Sequence, residues 1–169
     1  MEKEKENFTI GLNFLQKIAY YLLYGIVYVI SILPDFILHG LSYLIYLILF
    51  KLVRYRVDLV RKNLADSFPE KSASELKRIE KDFQHFFCDY IVETIQQTSM
   101  SEEEMKRRVK YTGMDHVNHL LEEGKDVILY IGHYGNWEWI TGFNLYIQGK
   151  ARLGQIYHIL NSPVINALM

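Results

Sequence analysis

Residues 126–139, with the sequence DVILYIGHYGNWEW, contain the change of pattern that decides the predicted fold. The run DVILYI is short, apolar and rich in β-branched and aromatic residues, and Gly124 and Gly132 flank it. This composition is typical of a buried strand. Residues 136–147 then show a helical pattern, with Asn136 in the N-cap position. The segment therefore predicts a strand, a turn and a helix, which together are the repeating unit of an α/β fold.

The predicted turn carries a polar cluster, GHYGNWEW, which includes both tryptophans of the chain. We expect His133 on the strand-to-helix turn and Glu138 in the first turn of the helix. Gly132 and Gly135 permit a tight backbone at this place. Because α/β proteins usually bind ligands at the carboxyl ends of strands, the cluster is a candidate site.

His133 and Glu138 together have the chemistry of a general base. A neutral imidazole accepts a proton from a hydroxyl, while a carboxylate holds the correct tautomer and stabilises the imidazolium. No Ser or Cys nucleophile is near, and the nearest hydroxyls are on Tyr130, Tyr134 and Thr141. The pattern favours direct transfer, in which His133 activates an acceptor hydroxyl for attack on an activated acyl carbonyl. By spacing alone, a strand-end histidine with a helix-capping glutamate fits equally well.

The composition of the chain narrows the range of expected binding partners. The net charge is −1, which does not favour nucleic acid as a partner. An aromatic content of 14%, with 13 Tyr, fits a lipid interface and also an ordinary aromatic core. The single cysteine, Cys88, is predicted to be a small buried residue in a reducing compartment.

A metal site is not expected. His116 and His119 share a helix face near Asp115, but a structural zinc site needs about four ligands and no Cys pair is present. The sequence therefore predicts neither a metal ion nor a cofactor.

Two charge-free apolar runs occupy residues 18–34 and 36–50, and Pro34 predicts a break between two helices. Each run is shorter than the roughly 20 residues that cross a bilayer core. The first becomes long enough if it begins near Phe8 and Lys17 extends toward the headgroups.

The second run contains His39, Gly40 and Ser42, which makes a clean span less favourable. The opening MEKEKE mixes acid and base, and no small-residue cleavage site follows the apolar run, so we expect a retained anchor and not a signal peptide. The alternative is a pair of buried helices in a soluble bundle.

Residues 51–62, KLVRYRVDLVRK, form a basic collar after the apolar runs. The collar consists of Lys51, Arg54, Arg56, Arg61 and Lys62, against the one acid Asp58. Basic residues beside a membrane segment mark the cytoplasmic side and attract anionic headgroups. We therefore predict that residues 1–60 are a membrane-anchoring helical segment, with a solvated helix face as the alternative reading of the collar.

The middle of the chain predicts helices. Ser72 and Glu75 have the spacing of a capping box. An apolar stripe at three- and four-residue steps follows and is predicted to be core: Leu76, Ile79, Phe83, Phe86, Phe87, Tyr90, Ile91 and Ile95. His85 and Glu93 lie off or beside this stripe, in no local motif. A further helix is predicted from Ser101, where acids precede bases.

The cluster GHYGNWEW resembles the H-x-x-x-x-D/E motif of the lysophospholipid acyltransferase superfamily. It has the GHxGNWE form of bacterial lipid A biosynthesis acyltransferases of the lauroyl and myristoyl type. Three other stretches agree in order. Residues 60–76 resemble the family's NL…FPE stretch, residues 89–94 its next helix, and residues 156–169 the strand and N-P stretch after the motif.

The resemblance implies transfer of a fatty acyl group from acyl carrier protein, or a CoA thioester, to a hydroxyl of a lipid A precursor. The implied place is the cytoplasmic face of the bacterial inner membrane. His133 is then the general base and Glu138 its charge partner, while Gly135 and Asn136 shape the pocket or acceptor site. The implied fold is α/β and α-rich, with N-terminal membrane-associated helices, further helices and the start of an acyltransferase-type αβ sheet.

The family's chains are longer than this one, which ends before the basic stretch that follows their N-P motif. We therefore expect residues 61–169 to be the N-terminal part of the catalytic domain, truncated and with an incomplete sheet. One alternative is a catalytically silent fragment that binds membrane or lipid. Another is an acyltransferase whose acceptor is a lysophospholipid or a different envelope lipid.

Overall fold

Helices make up the regular structure of the chain in the computed structural model, which describes residues 9, 11–149, 151–156 and 158–168. The α-helices of these residues are α1 (Phe14–Ser31), α2 (Asp35–Tyr46), α3 (Val57–Ser67), α4 (Ala73–Gln96), α5 (Glu102–Arg108), α6 (Met114–Glu122) and α7 (Pro163–Leu168). A π-helical turn, Leu47–Leu52, continues α2, and two 3₁₀ helices span Gln97–Ser99 and Trp137–Tyr146.

Local sequence signals set the ends of the first two helices. Asn13 and Gln16 form a reciprocal capping box at the start of α1, with both hydrogen bonds at 2.9 Å. Pro34 stands directly before α2, and its missing N–H and fixed φ suit that position. The predicted break at Pro34 is confirmed. The opening MEKEKE and the expected start near Phe8 lie outside the described residues.

Two helical stretches, Phe14–Ser31 and Asp35–Leu52, are long and apolar enough to cross a membrane by length and composition, with mean hydropathies of 1.3 and 1.5. Only 11% and 22% of their residues are buried within the protein. Core helices of a soluble bundle bury most of their apolar side chains. These two helices instead present a large apolar surface outward.

Helix α2 packs antiparallel against α4, which is the largest helix–helix interface of the structure. Three side-chain contacts follow one another along this interface: Gln96 to Asp35 (2.7 Å), Ser42 to Asp89 (2.5 Å) and the ring of Tyr46 stacked on His85 (3.9 Å between centroids). Both oxygens of Asp35 also accept hydrogen bonds from Arg108 of α5, at 3.0 Å. Polar and aromatic contacts thus fix the register of α2 on α4.

Helix α4 begins at the predicted capping box, but its buried face differs from the predicted stripe. Ser72 and Glu75 form both reciprocal hydrogen bonds of the box. The buried residues of α4 recur every four positions and are Glu80, Gln84, Cys88 and Val92. Phe83 and Phe86, expected in the core, are 39% and 42% exposed.

The stripe prediction was wrong at Phe83 and Phe86 because α2 and α3 pack against the neighbouring face of α4. Glu80 is buried there and is satisfied by Arg61 of α3 (2.9 Å) and by Gln84 (3.0 Å). Paired side chains of this kind allow polar residues to occupy an interface. The core cluster beside them comprises Tyr46, Phe50, Val57 and Cys88, with Ile45, Leu49 and Phe87 packed against it.

The strand predicted at residues 126–131 is not confirmed. Residues 125–132 have no regular secondary structure, and no strand occurs in the described part of the chain. Ile128 is 79% exposed and Tyr130 is 91% exposed. A strand requires hydrogen bonds to a neighbouring strand, and none of the described residues supplies one. The sheet of the expected α/β fold therefore does not appear among these residues.

The helix predicted after the motif forms as a 3₁₀ helix, Trp137–Tyr146, with Glu138 in its first turn as expected. Asn136 precedes it, but its side chain makes no capping hydrogen bond. This helix packs closely on α5, since a Cβ at Gly142 would lie 2.7 Å from Cγ of Met105. Helix α5, with Ser101 as its N-cap, and helix α6 form where the sequence predicted them.

The α2–α4 interface can be tested through Cys88, which is fully buried in it. Burial, with a smaller contribution from Asp89, raises the pKa of the Cys88 thiol to about 11. At pH 8 the native thiol should react with a disulfide reagent at least ~100-fold more slowly than a free thiol, because the thiolate is the nucleophile. Stopped-flow labelling with and without urea measures the ratio. Immediate labelling of the native chain would contradict this packing.

Candidate active site

His133 lies on an exposed loop. Residues 122–134 are all exposed, and His133 occupies a bend between the irregular segment and the 3₁₀ helix. Its ring meets the ring of Trp137 edge to face, with 4.7 Å between centroids and an interplanar angle of 65°. The imidazole nitrogens are therefore open to a molecule that approaches from outside.

Glu138 is held by α4. One carboxylate oxygen, Oε1, accepts a hydrogen bond from the hydroxyl of Tyr90 at 3.1 Å. The backbone oxygen of Glu138 accepts from Nε2 of Gln97 at 3.4 Å. No hydrogen bond or ion pair joins His133 to Glu138 among the described residues. The expected pairing of the two side chains therefore stays a prediction, although both belong to one short segment.

Trp137 links Tyr90 of α4 to His133. Its indole stacks on the ring of Tyr90, with 4.6 Å between centroids and 23° between planes. The edge contact with His133 uses the same indole. Offset stacks and edge-to-face pairs each contribute about 0.5–1.5 kcal/mol beyond the area they bury. Tyr90, Trp137 and His133 thus form a continuous aromatic series from α4 to the exposed imidazole.

Asn136 and Trp139 anchor the loop to the same helix. The amide Nδ2 of Asn136 donates to Oε2 of Glu93 at 2.8 Å, and the indole Nε1 of Trp139 donates to the backbone oxygen of Glu93 at 3.3 Å. Gly135 has a φ of +61°, a left-handed conformation that favours glycine. The Oδ1 atom of Asn136 is buried and accepts no hydrogen bond from any described residue.

The sequence did not predict the three residues of α4 and its end that contact the motif. Tyr90 belongs to the predicted core stripe, and neither Glu93 nor Gln97 belongs to a predicted motif. Their spacing of three and four residues places them on one helix face. That spacing was the available signal. Their hydrogen-bond partners lie about 40 positions later in the chain, so the spacing on α4 did not indicate which segment these side chains contact.

Tyr90 remains a hydrogen-bond donor at working pH. Burial first, and then the hydrogen bond to Glu138, raise the pKa of the Tyr90 hydroxyl to about 12. The hydroxyl therefore keeps its proton at neutral pH. It therefore stays the donor in its hydrogen bond to Oε1 of Glu138.

An open cavity of about 360 Å³ lies beside the loop. The residues on both sides of His133, Gly132 and Tyr134, take part in its wall. The remaining lining is mainly apolar and comprises Val109, Tyr111, Ile131, Asn136, Trp137, Trp139 and Ile140. The arrangement combines an accessible base with an apolar hollow next to it. In the described part of the chain, no group of three or more His, Cys, Asp or Glu side chains is arranged to hold a metal ion.

Comparison with known proteins gives one match. A family model described as bacterial lipid A biosynthesis acyltransferase matches residues 5–169. No curated protein and no solved structure was found to match the chain. The matched range includes the loop, the cavity and every α4 residue that contacts the motif.

The anchoring of the loop by Glu93 is tested with Glu93→Ala, which removes the acceptor of Asn136. We expect a loss of about 1.5 kcal/mol in the free energy of unfolding, the lower end for a hydrogen bond to a charged group. The emission of Trp137 and Trp139 should shift to longer wavelength as the loop leaves α4. Urea unfolding and fluorescence measure both effects. Glu93→Gln keeps an acceptor oxygen, so equal red shifts in the two variants would contradict this role.

Proposed function

The chain belongs to the bacterial lipid A biosynthesis acyltransferases, and from this premise we propose the reaction, the residues and the place of its activity. The reaction is transfer of a fatty acyl group from a thioester donor, either acyl carrier protein or CoA, to a hydroxyl of a lipid A precursor. The observation that carries the proposal is the exposed His133 beside an apolar cavity, within a motif of the family's GHxGNWE form.

His133 acts as the general base. Its imidazole takes the proton of the acceptor hydroxyl while the oxygen attacks the carbonyl carbon of the thioester. The tetrahedral adduct collapses with loss of the thiolate, which takes the proton back from the imidazolium. The new ester and a free thiol are the products. General-base assistance of this kind contributes about 10²–10⁴-fold in rate.

Glu138 stabilises the imidazolium. Its carboxylate is fixed by Tyr90, so the negative charge stays at one place during the reaction. Charges interact more strongly once water is excluded, and an acyl chain in the apolar cavity would exclude it. The proposed role of Glu138 is therefore electrostatic. It requires the carboxylate to lie near His133, but it does not require a hydrogen bond between the two side chains.

Asn136 and Gly135 contribute to substrate binding. Asn136 lines the cavity, and its Oδ1 is a buried acceptor without a donor among the described residues. A hydroxyl or amide N–H of a substrate would satisfy this atom, and an unsatisfied buried acceptor is unfavourable by about 1–3 kcal/mol. Gly135 provides the left-handed turn that brings Asn136 to its place.

Residues 1–60 anchor the chain to the cytoplasmic face of the inner membrane, and residues 61–169 hold the catalytic part. The support is the outward apolar surface of α1 and α2, including Phe14, Leu22 and Phe36. Contiguous exposed apolar surface marks membrane or protein contact. The family's lipid substrate favours the membrane.

The basic collar supports the same orientation. Lys51, Arg61 and Lys62 each have a partner within the protein. Arg54 and Arg56 are exposed, and no described side chain pairs with them. Both have a positive φ, 56° and 51°, which is uncommon for residues other than glycine and tends to persist at functional sites. We propose that these two guanidinium groups bind anionic lipid headgroups.

One alternative has support in the structure. Because His133 and Glu138 are not hydrogen-bonded among the described residues, the chain of residues 1–169 would fit a membrane- or lipid-binding role without turnover. Measurable acyl transfer by the purified chain would exclude this alternative. An acceptor other than a lipid A precursor, such as a lysophospholipid, would be identified by mass spectrometry of the acylated product.

Substitution of the base tests the reaction. His133→Ala should lower the rate of acyl transfer by about 10²–10⁴-fold, because the variant lacks the proposed general base. The assay uses the intact protein in detergent, acyl carrier protein loaded with a labelled acyl chain, and a lipid A precursor. His116→Ala, an exposed histidine on α6, is the matched control and should keep the native rate. Native activity in His133→Ala would sink the proposed mechanism.

Vesicle flotation tests the membrane assignment. The chain should float with vesicles that contain anionic phosphatidylglycerol. The double variant Arg54→Gln/Arg56→Gln should bind roughly 30-fold more weakly at low salt, since each basic residue near an anionic surface contributes about 1 kcal/mol. On neutral phosphatidylcholine vesicles the two proteins should bind alike. An equal affinity on both vesicle types would contradict the role of the collar.

A further inference from the structure

Tyr90, near the C-terminal end of α4, contacts the motif in two separate ways. The hydroxyl of Tyr90 donates to Oε1 of Glu138, and the ring of Tyr90 stacks on Trp137. Trp137 in turn contacts the ring of His133. The side chain of Tyr90 thus contacts Glu138 directly and reaches His133 through Trp137, and it does not line the cavity.

We propose that Tyr90 is a positioning residue, which fixes the carboxylate of Glu138 by its hydroxyl and the imidazole of His133 by its stack on Trp137. This inference rests on the proposed function of His133 and Glu138. It assigns to α4 a part of the active site that the motif itself does not contain.

Tyrosine meets both requirements because they concern different parts of its side chain. The hydroxyl is a donor with its proton retained, and Glu138 offers an acceptor 3.1 Å away. The ring is half-buried between Phe87 of the same helix and Trp137 of the loop. Phenylalanine would keep the stack and lose the donor, while leucine would lose both. The two contributions are therefore separable by substitution.

The hydroxyl of Tyr90 is the one described side-chain donor to the carboxylate of Glu138. A Tyr90→Phe substitution removes this hydrogen bond, so the carboxylate loses the contact that fixes its position. The ring at position 90 can still stack on Trp137, so the position of Trp137 beside His133 is kept.

The test compares Tyr90→Phe, Tyr90→Leu and the intact native protein in the acyl transfer assay. Tyr90→Phe should lower kcat about tenfold, the loss of one hydrogen bond to a charged group, with KM changed less than about twofold. Tyr90→Leu should lose activity further and show a red-shifted tryptophan emission.

Tyr146→Phe is the matched control. Its hydroxyl donates only to the backbone oxygens of Lys106 and Val109, so this variant loses a hydroxyl hydrogen bond away from Glu138. It should keep the native kcat. A Tyr90→Phe variant with native kcat would overturn the inference, and so would an equal loss of kcat in both variants.

A measurement without turnover separates this inference from the proposed function. The infrared band of the Glu138 carboxylate, isolated by its difference from Glu138→Gln, should shift in Tyr90→Phe relative to the native chain, because the carboxylate loses the hydrogen bond from the Tyr90 hydroxyl. An unchanged band overturns the positioning role even if the chain is inactive. By contrast, native activity in His133→Ala would overturn the proposed function and leave the infrared result standing.

Discussion

The docking of the motif loop on α4 is the interaction on which the rest of the site depends. No strand among the described residues supports the segment before His133, and that segment is exposed. Five contacts from α4 and its end hold the residues after it: the hydroxyl and the ring of Tyr90, the carboxylate and the backbone oxygen of Glu93, and the amide of Gln97. The loop is thus anchored at Glu138 and exposed at His133. This division suits the role proposed for His133, that of a base that meets a lipid substrate.

The same helix also determines where the site lies relative to the apolar helices. Asp89, next to Tyr90 in sequence, contacts Ser42 of α2, while Tyr90 faces the motif. Adjacent residues of α4 therefore contact α2 and the motif, which places the motif close to the second apolar helix.

Local signals in the sequence predicted several helices and helix ends, and the motif, but not the contacts between them. The capping box of Ser72 and Glu75, the break at Pro34 and the buried Cys88 could be predicted because each depends on a few adjacent residues. The strand at residues 126–131 depends on a partner strand, and the buried face of α4 depends on which helix packs there. Tyr90 illustrates the limit: its place in an apolar stripe was visible, whereas its bond to Glu138, 48 residues later, was not.

The polar contacts of α2 limit how deeply it can enter a membrane. Length and hydropathy permit the stretch Asp35–Leu52 to span, but Asp35 pairs with Arg108 and Ser42 with Asp89. A spanning α2 would take these charges of α4 and α5 into hydrocarbon, at about 2.5–3.5 kcal/mol for each at the bilayer centre. If α2 and α4 stay packed together at the membrane, α2 is therefore better placed along the membrane–water interface. Its apolar face then points into the lipid, and α4 lies toward water.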